Sequence, residues 1–341
     1  MNPQIITDTK QLSNALRINE ESLNELSQNE YLIDDTCAKT FNLHPDSILN
    51  LKKFCIPKRN KKFGEREVYE PIAETLKNLL KVTNSGLNKV YVAPTSVHGF
   101  VKGKNIRTNA TPHLEKKYLL SIDIENFFES INKEMVINCF KEYEFIESIA
   151  KVLANITTVD NKLIQGFHTS PTIANMYFKK IDLIFETVFP NLTYSRYADD
   201  LSFSSNEEIT VTQVTDIIKI INDFGFSINH DKTKIMKRGR NQYVTGLTIF
   251  DGTLPRVPKR IKRKLRLQIF YINKYGYRNH ILKKLGRKPH EYFKNSRVKE
   301  SVDSYEDYLH NNIVGWLMYI KSIEPQFAAL HLELLNNRRR D

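Results

Sequence analysis

Two adjacent acids, Asp199 and Asp200, lie in Thr193-Tyr-Ser-Arg-Tyr-Ala-Asp-Asp-Leu-Ser-Phe-Ser204, between two short runs of strand-forming residues. That pattern predicts a β-hairpin with carboxylates at its turn. Upstream, Tyr118-Leu-Leu-Ser-Ile-Asp-Ile-Glu-Asn-Phe-Phe128 predicts an apolar strand ending in a third acid, Asp123. A strand-end carboxylate and a turn-borne pair can meet around divalent metal. Magnesium takes hard oxygen ligands and keeps several waters, so two or three carboxylates are enough to hold it. Two such ions about 3.5–4 Å apart activate an attacking hydroxyl and stabilise departing pyrophosphate, which is the chemistry of nucleotidyl transfer. Asp123 and Asp199 are expected to bridge both ions, with Asp200 as a supporting acid and the Ile124 backbone carbonyl as a further ligand. A structural reading stays open for each motif alone: Asp123 as the cap of a helix opening at Glu125, and Asp199-Asp200 as turn formers.

The elements that must position these acids are legible in outline. After the strand at 118–128, the stretch 134–155 reads as helical and 172–189 as a long helix with Ile173, Met176, Tyr177 and Ile181 on one face. Beyond the hairpin, Val211 to Phe224 is amphipathic, with Val214, Ile217, Ile218 and Ile221 inward, and Ser227–Met236 and Tyr243–Phe250 alternate as strands. Strand–helix–hairpin–helix–strand from 118 to 236 is a split βαβ arrangement within an α+β fold. Upstream, residues 8–55 read as short polar helices, with another helix starting at His44-Pro-Asp-Ser. Ala15 to Ser27 faintly suggests a helix-turn-helix, although helices that cap the next domain account for it as well. Residues 56–70 predict a basic hairpin turning at Lys62-Phe-Gly64, and Pro71 opens an amphipathic helix through Leu80. Asp251-Gly252, Pro255 and Pro258 mark a boundary, after which 259–340 is helical.

The 341-residue chain carries 51 Lys+Arg against 39 Asp+Glu, a net charge of +12, which favours a polyanionic partner. The surplus is local. Arg256 to Lys299 contains sixteen Lys/Arg and a single acid, Glu291, while the first fifty residues hold more acids than bases. Charge concentrated in this way reads as a binding surface, and Arg260, Arg263, Lys264 and Arg266 are its densest part. Cys37, Cys55 and Cys139 form no CxxC pair. They are expected to be free in a reducing cytoplasm, with neither a disulfide framework nor a zinc site. The N-terminus lacks the pattern of a signal peptide, and no apolar run approaches the roughly 20 residues that cross a bilayer, so a soluble cytoplasmic protein is expected. His113 and His168 lack a paired ligand at metal spacing, and a hydrogen-bonded structural His113 is the expectation.

Taken together, Ile122-Asp-Ile-Glu-Asn-Phe-Phe128, Gln165-Gly-Phe-His-Thr-Ser-Pro171 and Tyr197-Ala-Asp-Asp200 resemble the successive palm motifs of reverse transcriptases, which are template-copying polymerases. Asn109-Ala-Thr-Pro-His113 is similar to the NAxxH element of bacterial retron reverse transcriptases, and Val244-Thr245-Gly246 to their VTG triplet. The resemblance runs from about Lys58 to Phe250. It implies a right-hand polymerase: an N-terminal helical extension over 1–55, fingers over 56–117 with part of 134–165, a ferredoxin-like palm over 118–254 and a basic helical thumb over 255–341. Phe128 would be the steric gate against a 2′-hydroxyl, although a core Phe is the competing reading. Gln165 would contact the incoming nucleotide, Arg66 and Lys62 the triphosphate, and Lys232 would protonate pyrophosphate; solvated surface cations are the alternative for these bases. Arg suits phosphate because its planar fork donates two parallel hydrogen bonds.

The family usually reads Pro-Gln-Gly-Ala-Pro where this chain has Ile164-Gln-Gly-Phe-His168, a departure that leaves the effect of Phe167 and His168 on the nucleotide pocket open. The resemblance further implies two magnesium ions and deoxynucleoside triphosphates. The partner would be a dedicated structured non-coding RNA that supplies template and priming guanosine, and the product a branched RNA–DNA molecule. A separate effector protein in anti-phage defence and a host ribonuclease H for template removal are also implied. Three other readings remain: a group II intron reverse transcriptase, a diversity-generating one, and a catalytically silent RNA-binding scaffold. The intact acids weigh against the last.

Overall fold

In the computed structural model, residues 1–41, 43–44, 46–58 and 64–336 are described. Helices α1 (Thr9–Leu16) and α2 (Glu20–Gln28) open the chain, each started by a side-chain cap, Asp8 and Asn19, and each burying its leucines. Next come strands β1 (Leu32–Asp35), β2 (Thr40–Phe41), β3 (Asn50–Pro57) and β4 (Glu65–Pro71), arranged β2-β1-β3-β4. β1 and β3 are parallel and β3 and β4 antiparallel. The helix expected near His44 is therefore absent from the described residues, and strand β3 begins at Asn50. The β3–β4 hairpin agrees with the reading of 56–70, although Lys62 at its expected tip lies outside the described residues. Helix α3 (Glu74–Val90) starts after Pro71, with Leu76, Leu79, Leu80 and Leu87 buried.

Beyond α4 (Ile106–Ala110) runs the central strand β5 (Tyr118–Asp123), followed by α5 (Lys133–Glu142), α6 (Glu147–Thr157) and α7 (Ser170–Val188). The hairpin β6 (Thr193–Tyr197) and β7 (Asp200–Ser205), helix α8 (Val211–Asp223) and strand β8 (Lys234–Lys237) complete the series, with sheet order β6-β7-β5-β8. Two expectations need correction. The helix read over 134–155 is two helices, broken around Glu144 (φ 66). No helix opens at Glu125 either: α5 starts only at Lys133, capped by Asn132. Asp123 is thus not an N-cap, which removes its structural alternative.

Short strands β9 (Tyr243–Val244) and β10 (Leu247–Thr248) precede the helices α9 (Lys259–Lys284), α10 (Pro289–Lys294), α11 (Ser296–Lys321) and α12 (Pro325–Asn336). By its contacts the chain divides into two compact units, Met1–Asn105 with Lys117–Met236, and Ile106–Lys116 with Lys237–Asp341. Ile106–Lys116 therefore packs with the C-terminal unit and not with the strands before it. There α4 lies against β9 and β10, and the Thr245 hydroxyl donates to the Ile106 carbonyl at 3.3 Å. The elements containing Asn109, His113 and Val244-Thr245-Gly246 are joined in this way, with Asn109 and His113 fully buried. Thr245 (φ 45) and Gly246 (φ 81) form the left-handed turn between β9 and β10, and glycine adopts that conformation without steric cost.

The cysteine reading also needs correction. Cys37 and Cys55 form a disulfide with their Cα atoms 5.9 Å apart. Asp35 on β1 partners Lys53 on β3 in parallel register, so two residues further along each chain the cysteines arrive side by side. An odd count leaves one over, which is Cys139; burial pushes its thiol up to about 12 and leaves it unreactive. Among the described residues no helix is long and apolar enough to cross a membrane.

Candidate active site

All three acids meet at one place in the N-terminal unit. β5 and β7 are antiparallel with Asp123 opposite Asp200, and β6 and β7 close over a two-residue turn, Ala198-Asp199. The backbone locks the site from both sides: Ile124 N–H donates to the Asp199 carbonyl at 3.0 Å, and Asn229 N–H to the Asp123 carbonyl at 2.8 Å. Asp123 and Asp199 line a cleft of about 480 Å³, and Asp200, opposite Asp123 on β7, is not part of its lining. Burial raises Asp199, helped by repulsion from Asp123. Burial with repulsion from Asp199 and Asp123 pushes Asp200 up to about 7.

Among the described residues no three Asp, Glu, His or Cys side chains stand close enough to chelate an ion as they are arranged. The Lys232 ammonium binds both Asp123 oxygens, at 3.0 and 2.8 Å. The donor set nevertheless fits a divalent cation. It consists of hard oxygens with surplus negative charge, and a positive group has already been drawn to it.

Phe128 and Phe127 face different ways. Phe127 is buried and packs on Phe178 and Phe226 at 5.8 Å each, whereas Phe128 is half-buried and lines the cleft near Phe100. Gln165 also lines it, and Arg66 on β4 is exposed at its edge. Of the neighbours of Gln165, Phe167 is buried against Tyr31 with ring centroids 5.7 Å apart and His168 is exposed. Neither lines the cleft, so the bulky pair does not reshape it. Gly166 (φ 114) lies so close to β4 that a Cβ would sit 2.0 Å from the Tyr69 carbonyl oxygen, and Tyr69 N–H donates to the Gln165 carbonyl at 2.8 Å.

Several residues escaped the sequence reading. Glu129 accepts from the Gln165 amide at 3.1 Å and orients it. Lys58, Phe100 and Asn229 join the cleft lining. Beneath the acids lies a buried polar scaffold centred on Arg196. Its guanidinium donates to both Asp182 oxygens (2.8 and 2.7 Å), to Asn175 Oδ1 (3.0 Å) and to the Ala198 carbonyl (3.2 Å). Burial disfavours the Arg196 charge, but Asp182 outweighs burial and the pKa is raised. Asn175 donates in turn to the Gly99 carbonyl, and a Cβ on Gly99 would sit 2.4 Å from the Ala198 nitrogen. This packing supports Ala198 in a left-handed conformation (φ 58) that costs a non-glycine residue energy.

In the C-terminal unit Arg260, Arg263, Lys264 and Arg266 are all exposed on α9. They do not share one face: Arg266 stacks over Phe327 at 5.1 Å, while Lys264 lines a separate groove.

A right-hand polymerase core of this kind defines a class, and comparison with known proteins agrees. Residues 56–265 match the family described as reverse transcriptase (RNA-dependent DNA polymerase), and the chain belongs to that family. The retron Se72 reverse transcriptase of Salmonella heidelberg is 31% identical over 233 residues, 65% of this chain and 60% of that protein. The retron Ec86 reverse transcriptase of Escherichia coli is 33% identical over 199 residues, 58% of this chain and 62% of that protein. The Escherichia coli retron Ec73 enzyme is 28% identical across 81% of this chain and 84% of its own length. All three of these relatives are retron reverse transcriptases. The chain spans about 60% of the length of the first two relatives. Telomerase from Candida albicans, in complex with a fragment of telomeric RNA, aligns over 91% of this chain and 60% of that chain. Its TM-score of 0.45 and 11% identity are too low to add to the assignment.

Proposed function

We propose that the chain is an RNA-directed DNA polymerase that copies a cognate structured non-coding RNA into branched single-stranded DNA. The observation that carries this reading is the convergence of Asp123, Asp199, Phe128, Gln165 and Arg66 on one cleft. In this reading two magnesium ions are held by Asp123, Asp199, Asp200 and the Ile124 carbonyl, and when bound they supply charge stabilisation at the α-phosphate. Arg66, with Lys58 beside it, takes the triphosphate, and Gln165, oriented by Glu129, contacts the incoming nucleotide. Lys232 leaves Asp123 when the site fills, which puts its proton within reach of departing pyrophosphate. Residues 56–117 serve as fingers, 118–254 as palm and 255–341 as thumb. By likeness to retrons, the priming group is a guanosine 2′-hydroxyl of the same RNA, a ribonuclease H of the host removes template, and an effector protein couples the system to phage defence.

Sugar selection gives one test of the cleft. Phe128→Ala is expected to admit ribonucleotides far better, because removing the ring opens space beside C2′ without touching base pairing. The check is single-nucleotide incorporation of deoxy- against ribonucleotides; an unchanged preference would move the gate elsewhere.

The thumb gives another. Neutralising Arg260, Arg263, Lys264 and Arg266 together is expected to weaken RNA binding and flatten its salt dependence. Each phosphate contact releases about 0.9 counterion from a duplex and about 0.7 from a single strand, so two or three real contacts lower the log–log slope by roughly 2. Titration at several salt concentrations checks this, and an unchanged slope would make the run a solvated face. Sequencing the nucleic acid that co-purifies with the protein tests the proposed function itself. A DNA copy joined to a defined RNA is the expected result, and RNA with no DNA counterpart would favour a silent RNA-binding scaffold.

A further inference from the structure

The C-terminal unit contains a second, larger groove that shares no lining residue with the cleft of the acids. Helix α9 breaks at Gly276 (φ 79, ψ 161), and its two arms, with residues 286–289, enclose about 1140 Å³. Its wall is aromatic and apolar. Tyr271 stacks near-parallel with Tyr275 (centroids 6.1 Å apart, 21° between planes) and with His280 (5.8 Å, 14°), flanked by Leu267 and Leu282. Its rim is cationic: Lys264, Lys283, Lys284, Arg287 and Lys288 line it, and no acid does among the described residues. Lys283 already sits 5.7 Å from the Tyr271 ring centre.

One atom in this wall lacks a partner. His280 is only 8% exposed, and among the described residues nothing bonds its Nε2. A buried polar nitrogen left unpaired keeps its desolvation cost, which a ligand hydrogen bond would recover. Burial and the adjacent Lys284 and Lys283 lower the ring's pKa, so it is neutral at pH 7 and able to donate or accept according to its tautomer.

Flat aromatic faces, cations without a compensating carboxylate and one unpaired ring nitrogen together match a nucleotide. We propose that this groove binds an unpaired nucleotide of single-stranded RNA, with its base stacked on Tyr271 and Tyr275 and hydrogen-bonded to His280 Nε2, and its flanking phosphates on the rim. A paired base keeps its faces inside the duplex and has none to offer, whereas base–aromatic stacking tolerates any sequence. The choice of RNA over DNA rests on the polymerase reading above; the groove's affinity for an unpaired nucleotide does not.

The test uses the whole protein and a short single-stranded RNA carrying one 4-thiouridine. Photocrosslinking is expected to map to the peptide holding Tyr271 and Tyr275, and annealing the complement is expected to abolish the crosslink. Tyr275 is 45% exposed, so Tyr275→Ala keeps the fold and is expected to weaken binding roughly 5- to 150-fold, the range for losing one stacked base. Extension of a saturating pre-annealed primer is expected to stay unchanged. A crosslink outside α9, or full affinity in Tyr275→Ala, would overturn the groove. Equal binding of single-stranded DNA would overturn the choice of RNA. If the wild-type chain extends no primer yet crosslinks through Tyr275, the polymerase reading fails and the nucleotide site stands.

Discussion

Asp199→Asn or Asp200→Asn is expected to lower DNA synthesis by at least about 10²–10³-fold, the loss typical for one preorganised electrostatic contact, and the double variant to abolish it. Both side chains are carboxylates that burial and repulsion from Asp123 already press toward neutrality. Replacing either with an isosteric amide removes negative charge from a crowded site, so the fold is expected to lose nothing and to relax slightly. On the proposed reading the α9 cations carry RNA affinity, which is therefore expected to stay near the wild-type value. Primer extension, thermal melting and RNA binding measured on the same preparations separate these effects. A variant that melts early would mean the acids hold the hairpin together and would leave their chemistry unproven.

The second large effect is expected at Arg196. Arg196→Met leaves Asp182 fully buried with its charge uncompensated, a loss of about 3–5 kcal/mol for a pair of this kind. Denaturant unfolding reads that directly. The double variant Arg196→Met/Asp182→Leu removes both charges and is expected to regain much of the stability, since a buried pair exchanged for apolar groups is often near neutral. DNA synthesis is expected to stay low in both, because the Ala198 carbonyl still lacks the donor that supports the left-handed turn carrying Asp199. Recovery of synthesis along with stability would mean that Arg196 serves the fold alone.

Asp123, Asp199 and Asp200 were legible in the sequence because Asp123 and Asp200 sit at strand ends and Asp199 in the turn between two short strands whose apolar character is itself local information. Arg196 lies inside the same readable strand, yet its role was invisible. Its partners Asp182 and Asn175 come from α7, and nothing in a strand's periodicity says which helix will cover it. Glu129 was missed for the same reason, since its meaning comes from Gln165 on a different segment. The strands over 32–57 were read as helical because β1 is half-buried throughout and shows no clean alternation. The Cys37–Cys55 pair follows from the parallel register of those same strands and was lost with them. Phe127 was already the more natural core Phe in the sequence, and its packing among Phe178 and Phe226 agrees.

The most direct test is extension of a DNA primer annealed to an RNA template by the purified wild-type chain, with deoxynucleotides and a divalent metal ion. Template-dependent DNA products that vanish in Asp199→Asn/Asp200→Asn are the expected result. No extension under magnesium or manganese by a protein that still binds RNA, or equal extension by the double variant, would contradict the assignment of this cleft as a polymerase active site.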